Sequence, residues 1–168
     1  AKQVNQNNSS DLSVEADTSL EWFEKEKYYL AKGNVILKKD GLTLKANMVR
    51  ANYAIEDGEN VLKNITAKEE VFLNKDKSKA TGQFMTYNVK KKIAIISGSF
   101  QTFSSPTGYV ESKKIIMFDD LKNKAEANGN VKIVLSNESV IYADNVKADF
   151  SAKDKKKKKA IAKGNVLI

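Results

Sequence analysis

The sequence predicts an all-β protein, and three observations support this fold class. A five-residue pattern, Ala-x-Gly-x-Val, recurs along the 168-residue chain at intervals of 29 to 36 residues. Apolar and polar residues alternate over short stretches, which is the period of a β-strand that buries one face. Turn-forming residues separate these stretches, and no helical periodicity extends over a useful length.

The five-residue pattern has five copies, of which three are clear and two are degenerate. The clear copies occupy residues 31–35, 127–131 and 162–166, and the degenerate copies occupy residues 67–71 and 96–100. Regular repetition indicates similar units that stack side by side in layers. We expect such a stack to be open at its ends, where unpaired strand edges invite pairing with another chain.

A second pattern places an aromatic residue seven positions after a small one. The pairs are Ala16 with Phe23, Ala46 with Tyr53, Ala80 with Tyr87, and Ala143 with Phe150. The unit around Ser112 is the weak member, because its aromatic residue, Phe118, follows after six positions. Two interleaved patterns with matched periods rarely arise by chance, so repetition is the strongest signal in the chain.

Each unit is predicted to contain about three short strands. In the first unit, apolar residues of one parity fall between residues 29 and 37 and between residues 42 and 48, with Asp40 and Gly41 as turn residues between them. The one proline, Pro106, is expected in a turn, where it removes no hydrogen bond from a strand ladder. Counted over the chain, these patterns predict about 14–16 strands.

The composition fits one exported domain and argues against an enzyme. Apolar residues make up 41% and charged residues 30%, as in ordinary globular domains. Residues 1–10 are polar and are predicted to form a flexible leader before a single domain at residues 11–168. Because the chain begins with Ala1, we expect that a signal peptide has been removed. The absence of Cys and His removes the Ser-His-Asp and Cys-His catalytic devices, and we predict no enzymatic activity, no metal and no cofactor.

The positive charge predicts an anionic partner other than nucleic acid. The formal net charge is +8, and Arg50 is the one arginine among the 29 basic residues. Proteins that read bases or grip phosphate bidentately usually use arginine. A surface of lysines fits diffuse attraction better.

Several segments resemble the LptA/OstA-like family of lipopolysaccharide-transport proteins. These segments are residues 12–17, 31–35, 41–46, 80–87 and 95–98, together with Ile115. The resemblance spans about residues 11–150. It implies a slightly twisted, open β-jelly roll of antiparallel strands, located in the periplasm, whose interior shelters the acyl chains of lipopolysaccharide.

The resemblance also implies partners. Members of this family stack head to tail through their terminal strands, and the stack joins LptC at the inner membrane to the N-terminal domain of LptD at the outer membrane. LptC and that LptD domain share the fold, so the chain could be either of them instead. A purely structural β-filament is a further alternative, because stacking alone could be the function.

Inward-facing apolar residues are the candidates for lipid binding. An acyl chain loses about 0.8 kcal/mol for each CH₂ group left in water, so a carrier must offer apolar surface. The alternative for each residue is ordinary packing in a closed core. The candidates are Leu12, Val14, Val35, Leu37, Leu42, Leu44, Val71, Leu73, Phe84, Ile95, Phe100, Ile115, Met117, Val131 and Ile133.

A run of lysines is the candidate for contact with a headgroup or a membrane. The run is Lys155, Lys156, Lys157, Lys158 and Lys159. It is predicted to lie at a hairpin tip, between a strand that ends at Phe150 and one that begins at Ala160. Lysines at such a tip either keep a sheet edge from aggregating or attract the phosphates of a lipopolysaccharide headgroup or an anionic membrane.

Overall fold

The computed structural model describes residues 2–6, 12–149 and 159–168, and every helix or strand in this part of the chain is a β-strand. The strands are β1 (Lys2–Gln6), β2 (Leu12–Ala16), β3 (Ser19–Phe23), β4 (Tyr28–Lys39), β5 (Leu42–Glu56), β6 (Glu59–Lys75), β7 (Ser78–Asn88), β8 (Ile93–Ser97), β9 (Gln101–Ser105), β10 (Gly108–Ser112), β11 (Ile115–Asp119), β12 (Lys124–Leu135), β13 (Val140–Asp149) and β14 (Lys159–Lys163). They form one 14-stranded antiparallel sheet, which confirms the predicted fold class and strand number. Nothing in the described ranges is a helix that could cross a bilayer.

The long strands bend near their middles, so the single sheet folds over into two facing layers. Layer 1 contains, in spatial order, β3, the first half of β4, the second half of β5, the first half of β6, the second half of β7, β8, β11, the first half of β12, the second half of β13, and β14. Layer 2 contains β1, β2 and the other halves of these long strands, with β9 and β10 between β7 and β12. Strands of 12, 15 and 17 residues (β4, β5 and β6) replace the short strands that the sequence predicts.

The Ala-x-Gly-x-Val copies form the bends, which we call the corners. In β4 the strand register shifts between Lys32 and Val35, where Gly33 and Asn34 both have positive φ angles, +85° and +41°. The same two positions of the pattern have positive φ in β6, in β12 and after β14. Because L side chains rarely adopt this conformation, Gly and Asn are favoured at these two positions, although the degenerate copy in β6 has Glu69 and Glu70 there. Two successive left-handed residues turn the strand out of one layer and into the other.

At the first and last corners, the residue that follows the small residue of the second pattern lies opposite the first pattern. The backbone amide of Asp17 donates to the carbonyl of Gly33 (2.8 Å), and Asn34 Nδ2 donates to Asp17 Oδ2 (3.0 Å). The last copy repeats this arrangement, with Asp144 N to Gly164 O at 2.7 Å and Asn165 Nδ2 to Asp144 Oδ2 at 2.9 Å. The two interleaved patterns therefore describe the two neighbouring strands of one bend.

In the fourth unit, the weak member of the second pattern, the small residue Ser112 supports the corner by hydrogen bonds. Its hydroxyl is fully buried where β10 ends and β11 begins. It accepts from the backbone amides of Lys114 (3.3 Å) and Ile115 (3.1 Å) and donates to the carbonyl of Asn128. A hydroxyl here satisfies backbone groups that the interrupted strand leaves without ladder partners.

Part of the predicted leader, residues 1–10, pairs with the sheet, and its flexibility stays a prediction. Residues Lys2–Gln6 form β1, which pairs antiparallel with β2 from Lys2 opposite Ala16 to Gln6 opposite Leu12. Pairing at an edge needs only backbone amides and carbonyls, which every residue of this segment offers. Residues 1 and 7–11 lie outside the described part of the chain.

Two apolar clusters fill the space between the layers. The larger one contains residues of β2 and of β4 to β8, with Val35, Leu37, Leu44 and Ile65 among its fully buried members. The smaller one contains residues of β11, β12 and β13. Phe103 of β9 packs against both clusters and so lies at the boundary between them.

Candidate functional site

A cavity of about 280 Å³ lies between the layers where the two apolar clusters meet. Phe103 of layer 2 and Phe118 of layer 1 stack across it, with ring centroids 6.0 Å apart. The apolar wall is completed by side chains from both layers: Leu42, Leu73, Ala80, Tyr87, Ala94, Ile96 and Ile116. These strands diverge enough to leave space that side chains do not fill.

The mouth of the cavity is charged and is formed by strand ends and turns of both layers. Its residues are Lys39, Asp40, Lys75, Asp76, Ser78, Lys79, Lys92 and Asp120. The ammonium of Lys75, at the end of β6 in layer 2, lies 2.7 Å from Asp120 Oδ2, just after β11 in layer 1. An apolar wall below a charged mouth fits a ligand with an apolar chain and a polar end.

Two groups at this site have raised pKa values. The hydrogen bond from Lys75 to Asp120 raises the pKa of the Lys75 ammonium above its ordinary value, although partial burial acts in the opposite direction. Burial in the cavity wall raises the pKa of the Tyr87 hydroxyl, because an apolar environment disfavours the phenolate. Both groups therefore keep their protons to higher pH in the folded chain.

These shifts predict that the fold loses stability in alkaline solution. A raised pKa in the folded state contributes stability that is complete below the ordinary pKa and is lost as the pH rises through the folded-state value. We expect the free energy of unfolding, measured by urea denaturation, to fall above about pH 10. The fall should be shallower in a Lys75→Met/Tyr87→Phe variant; an equal fall in that variant would contradict the assignment.

Only two of the fifteen candidates for lipid binding line this cavity, namely Leu42 and Leu73. Eight others lie in the packed core. Leu12, Val14, Val35, Leu37, Leu44 and Val71 belong to the larger cluster, and Val131 and Ile133 belong to or pack against the smaller one. In these positions the side chains contact one another, which is the closed-core alternative. Contact with lipid stays a prediction for them, since it requires the layers to separate.

Three candidates lie on the face opposite to the cavity. Ile96 and Ile116 line the cavity, and strand alternation turns their neighbours Ile95, Ile115 and Met117 away from it. The inward parity predicted for these three residues is corrected accordingly. Both strands are apolar on both faces, so their sequences alone do not show which face turns inward.

The remaining two candidates, Phe84 and Phe100, line a second groove on the outer side of the corner. Phe84 is 47% exposed and alternates along β7 with Met85, which is buried in the core. Phe72, Glu69 and Glu70 contribute to the same outer groove. Neither candidate lines the cavity between the layers.

Most of the cavity wall was not predicted from the sequence, although one pattern in the sequence contains part of it. The second repeat pattern includes Ala80, Tyr87 and Phe118, and all three line the cavity. Each of the first four copies of the first pattern begins with a buried residue. In the third copy this residue is Ile96, which also lines the cavity. Alignment of the repeats therefore identifies wall residues that counting along single strands does not.

The lysine run is largely outside the described residues. Lys155, Lys156, Lys157 and Lys158 fall in the stretch that the structure leaves undescribed, while Lys159 is exposed at the start of β14. The strands on either side of the run pair antiparallel, with Asp149 of β13 opposite Lys159. Contact of the run with a headgroup or membrane stays a prediction.

Comparisons with known proteins agree with the fold. The family described as LptA/(LptD N-terminal domain) LPS transport protein matches residues 13–120. Among solved structures, LptH from Pseudomonas aeruginosa, described as the LptA homologous periplasmic component of the conserved lipopolysaccharide transport device, aligns with a TM-score of 0.65 at 16% identity. The alignment covers 74% of this chain and 94% of LptH. A search among curated proteins finds no match.

The family match extends over more than half of the chain and includes the cavity wall from Leu42 to Phe118. The similarity to LptH, at its low identity, independently supports the same fold. The resemblance seen in the repeat patterns is thereby confirmed. The chain belongs to the family of LptA and the LptD N-terminal domain, the lipopolysaccharide transport proteins.

Proposed function

We propose that this protein binds lipopolysaccharide by its acyl chains between the two layers and passes it along a periplasmic bridge from the inner to the outer membrane. Membership of its family makes the chain a component of lipopolysaccharide transport. The observation that carries the more specific proposal is the cavity, which combines an apolar wall with a charged mouth. No protein of the described architecture could shelter acyl chains without such a space.

The size of the cavity indicates how binding proceeds. At about 280 Å³ it is at the small end of ligand sites, which span roughly 300–1,000 Å³. It therefore accepts part of a lipid with several acyl chains, and the rest enters only if the layers move apart. Each CH₂ group transferred from water contributes about 0.8 kcal/mol toward that separation.

Native mass spectrometry with purified lipopolysaccharide tests the proposal. We expect a complex of one protein chain with one lipopolysaccharide molecule. The control is the same lipopolysaccharide with its acyl chains removed, which should not bind because the apolar wall then has no ligand. Equal binding of the deacylated form would show that the acyl chains are not what the protein recognises.

We further propose that the protein associates head to tail with itself, and with LptC-like and LptD-like partners, through its edge strands. Among the described residues, β14 pairs only with β13, and Leu167 forms a single bridge with Tyr142. Ile161 and Leu167 are more than half exposed on this edge. Edges with free backbone groups and apolar side chains favour pairing with another chain.

Charge on the edge should prevent this association. We expect Ile161→Lys to lower the sedimentation coefficient of the protein at high micromolar concentration, because a lysine on an edge strand opposes strand addition. Phe84→Lys is the matched control, since Phe84 is 47% exposed and Ile161 is 51% exposed, but Phe84 is paired on both sides, with Lys68 of β6 and with Ser97 of β8. A wild-type protein that stays monomeric throughout this range would refute the stacking proposal.

The alternatives differ from this proposal in their partners and cargo. An LptC-like or LptD N-terminal-like component would belong to the same bridge, and the family match names the LptD domain alongside LptA. Binding to the purified LptC domain and to the purified LptD domain is measured separately, each with the other absent. This measurement distinguishes a protein at one end of the bridge from a protein in its middle. A purely structural filament would associate but retain no lipid.

A further inference from the structure

The ion pair between Lys75 and Asp120 joins the two layers directly above the cavity. Alternation along β6 places Lys75 on the same face as the wall residue Leu73. Asp120 likewise follows Phe118, another wall residue, by two positions. The ion pairs Lys63–Glu56 and Lys124–Asp149, by contrast, join neighbouring strands within layer 1.

The two partners of this ion pair differ in how they are held. The backbone amide of Asp120 donates to the carbonyl of Lys92 at 3.0 Å, which fixes the turn after β11 to the turn before β8. Lys75 reaches its partner through four methylene groups that can rotate. Asp120 is therefore a fixed acceptor on layer 1, and Lys75 is the cation that can change partner.

Two lysines at the mouth of the cavity already form ion pairs with aspartates of the chain. The Lys39 ammonium is nearly buried and lies 3.3 Å from Asp40 Oδ2, as Lys75 lies close to Asp120. A carboxylate and the acidic oxygen of a lipid headgroup offer a lysine the same kind of charge-assisted hydrogen bond. A headgroup at the mouth would compete with these aspartates while its chain contacts the wall below.

We propose that the Lys75–Asp120 ion pair is a clasp, which an anionic headgroup opens by replacing the Asp120 carboxylate as the partner of Lys75. This inference rests on the proposed function, because it concerns the same cavity. In the empty protein the clasp holds the layers together at the mouth. Once Lys75 binds the headgroup, the ion pair no longer holds the two layers together at the mouth. The lipid that needs space in the cavity is therefore also the ligand that opens the cavity.

The ratio of affinities for two single-chain lipids tests the clasp. The probes are lysophosphatidylglycerol, which is anionic, and lysophosphatidylcholine of the same chain length, which has no net charge; both are titrated calorimetrically below their micelle concentrations. Asp120→Asn removes the competing carboxylate and should raise the anionic preference by about two- to fivefold, as expected for a partly exposed ion pair. Lys75→Met removes the anchoring cation and should lower that preference by a similar factor.

Matched controls separate the clasp from the net charge of the protein. Glu56→Gln and Lys63→Met make the same charge changes in an exposed ion pair that does not line the cavity, and neither should alter the anionic preference. If both lipids bind but the preference is the same in the wild type, Asp120→Asn and Lys75→Met, the clasp is refuted while the proposed function stands. If neither lipid binds the wild type, the proposed function fails and the clasp fails with it.

Discussion

Replacing Leu73 with aspartate is expected to abolish lipid retention while the protein still folds. Leu73 is partly exposed and lines the cavity on layer 2, so a carboxylate there has access to water when the cavity is empty. With an acyl chain bound, the same carboxylate would lie against hydrocarbon without a partner, which costs several kcal/mol. We expect retention to fall by about a hundredfold or more, since each 1.4 kcal/mol is a tenfold change.

The control for this variant is Phe84→Asp, which places the same charge in the outer groove. Phe84 does not line the cavity, so lipid retention should equal that of the wild type. Lipid that copurifies with each variant is measured by mass spectrometry of an organic extract, and circular dichroism confirms the β fold. Loss of lipid in Phe84→Asp with normal retention in Leu73→Asp would place the lipid in the outer groove and refute the cavity.

Replacing Gly33 with alanine is expected to destabilise the protein by about 2–5 kcal/mol. The positive φ of Gly33 alone costs an L residue roughly 1–2 kcal/mol. A Cβ atom there would also lie 2.8 Å from Thr18 Cβ and 2.9 Å from the Thr18 backbone nitrogen, closer than real contacts allow. Because one of these atoms belongs to the backbone of the neighbouring strand segment, relief requires the corner to shift, and overpacking of this kind typically costs about 1–3 kcal/mol more.

Gly58→Ala is the matched control for the corner. Gly58 has a similar φ of +77°, but a Cβ atom there meets nothing within 4 Å. We expect Gly58→Ala to lower the free energy of unfolding, measured by urea denaturation, by the conformational cost alone, roughly 1–2 kcal/mol. Equal losses in the two variants would show that Gly33 is needed for its φ angle alone and that close packing at the corner contributes nothing.

The fold class was predictable because its signals are local. Alternation and turn residues identify strands within a few positions, and the turns at Asp40 and Pro106 lie where the sequence places them. Repetition then implies that similar units stack. None of these signals depends on which strands later become neighbours.

The corners and the cavity were not predictable in the same way. The bend at Gly33 is defined by its contacts with Asp17 and Thr18, which lie between β2 and β3, more than a dozen positions earlier in the chain. Alternation within a short apolar strand also does not say which of its two faces turns inward, and Ile95 and Ile115 lie on the face turned away from the cavity. The cavity depends on how far two layers diverge, a property of the whole stack that no single strand encodes.

The corners give this architecture independent control over the length and the width of its interior. Each unit adds two strands to each layer, which extends the stack by about 10 Å at the usual spacing of neighbouring strands. The bend angle at residues such as Gly33 and Asn34 sets how far apart the layers stand, whatever the number of units. Duplication of a unit would therefore lengthen the interior without narrowing it, and a second molecule paired with an edge strand would do so without any change to the gene.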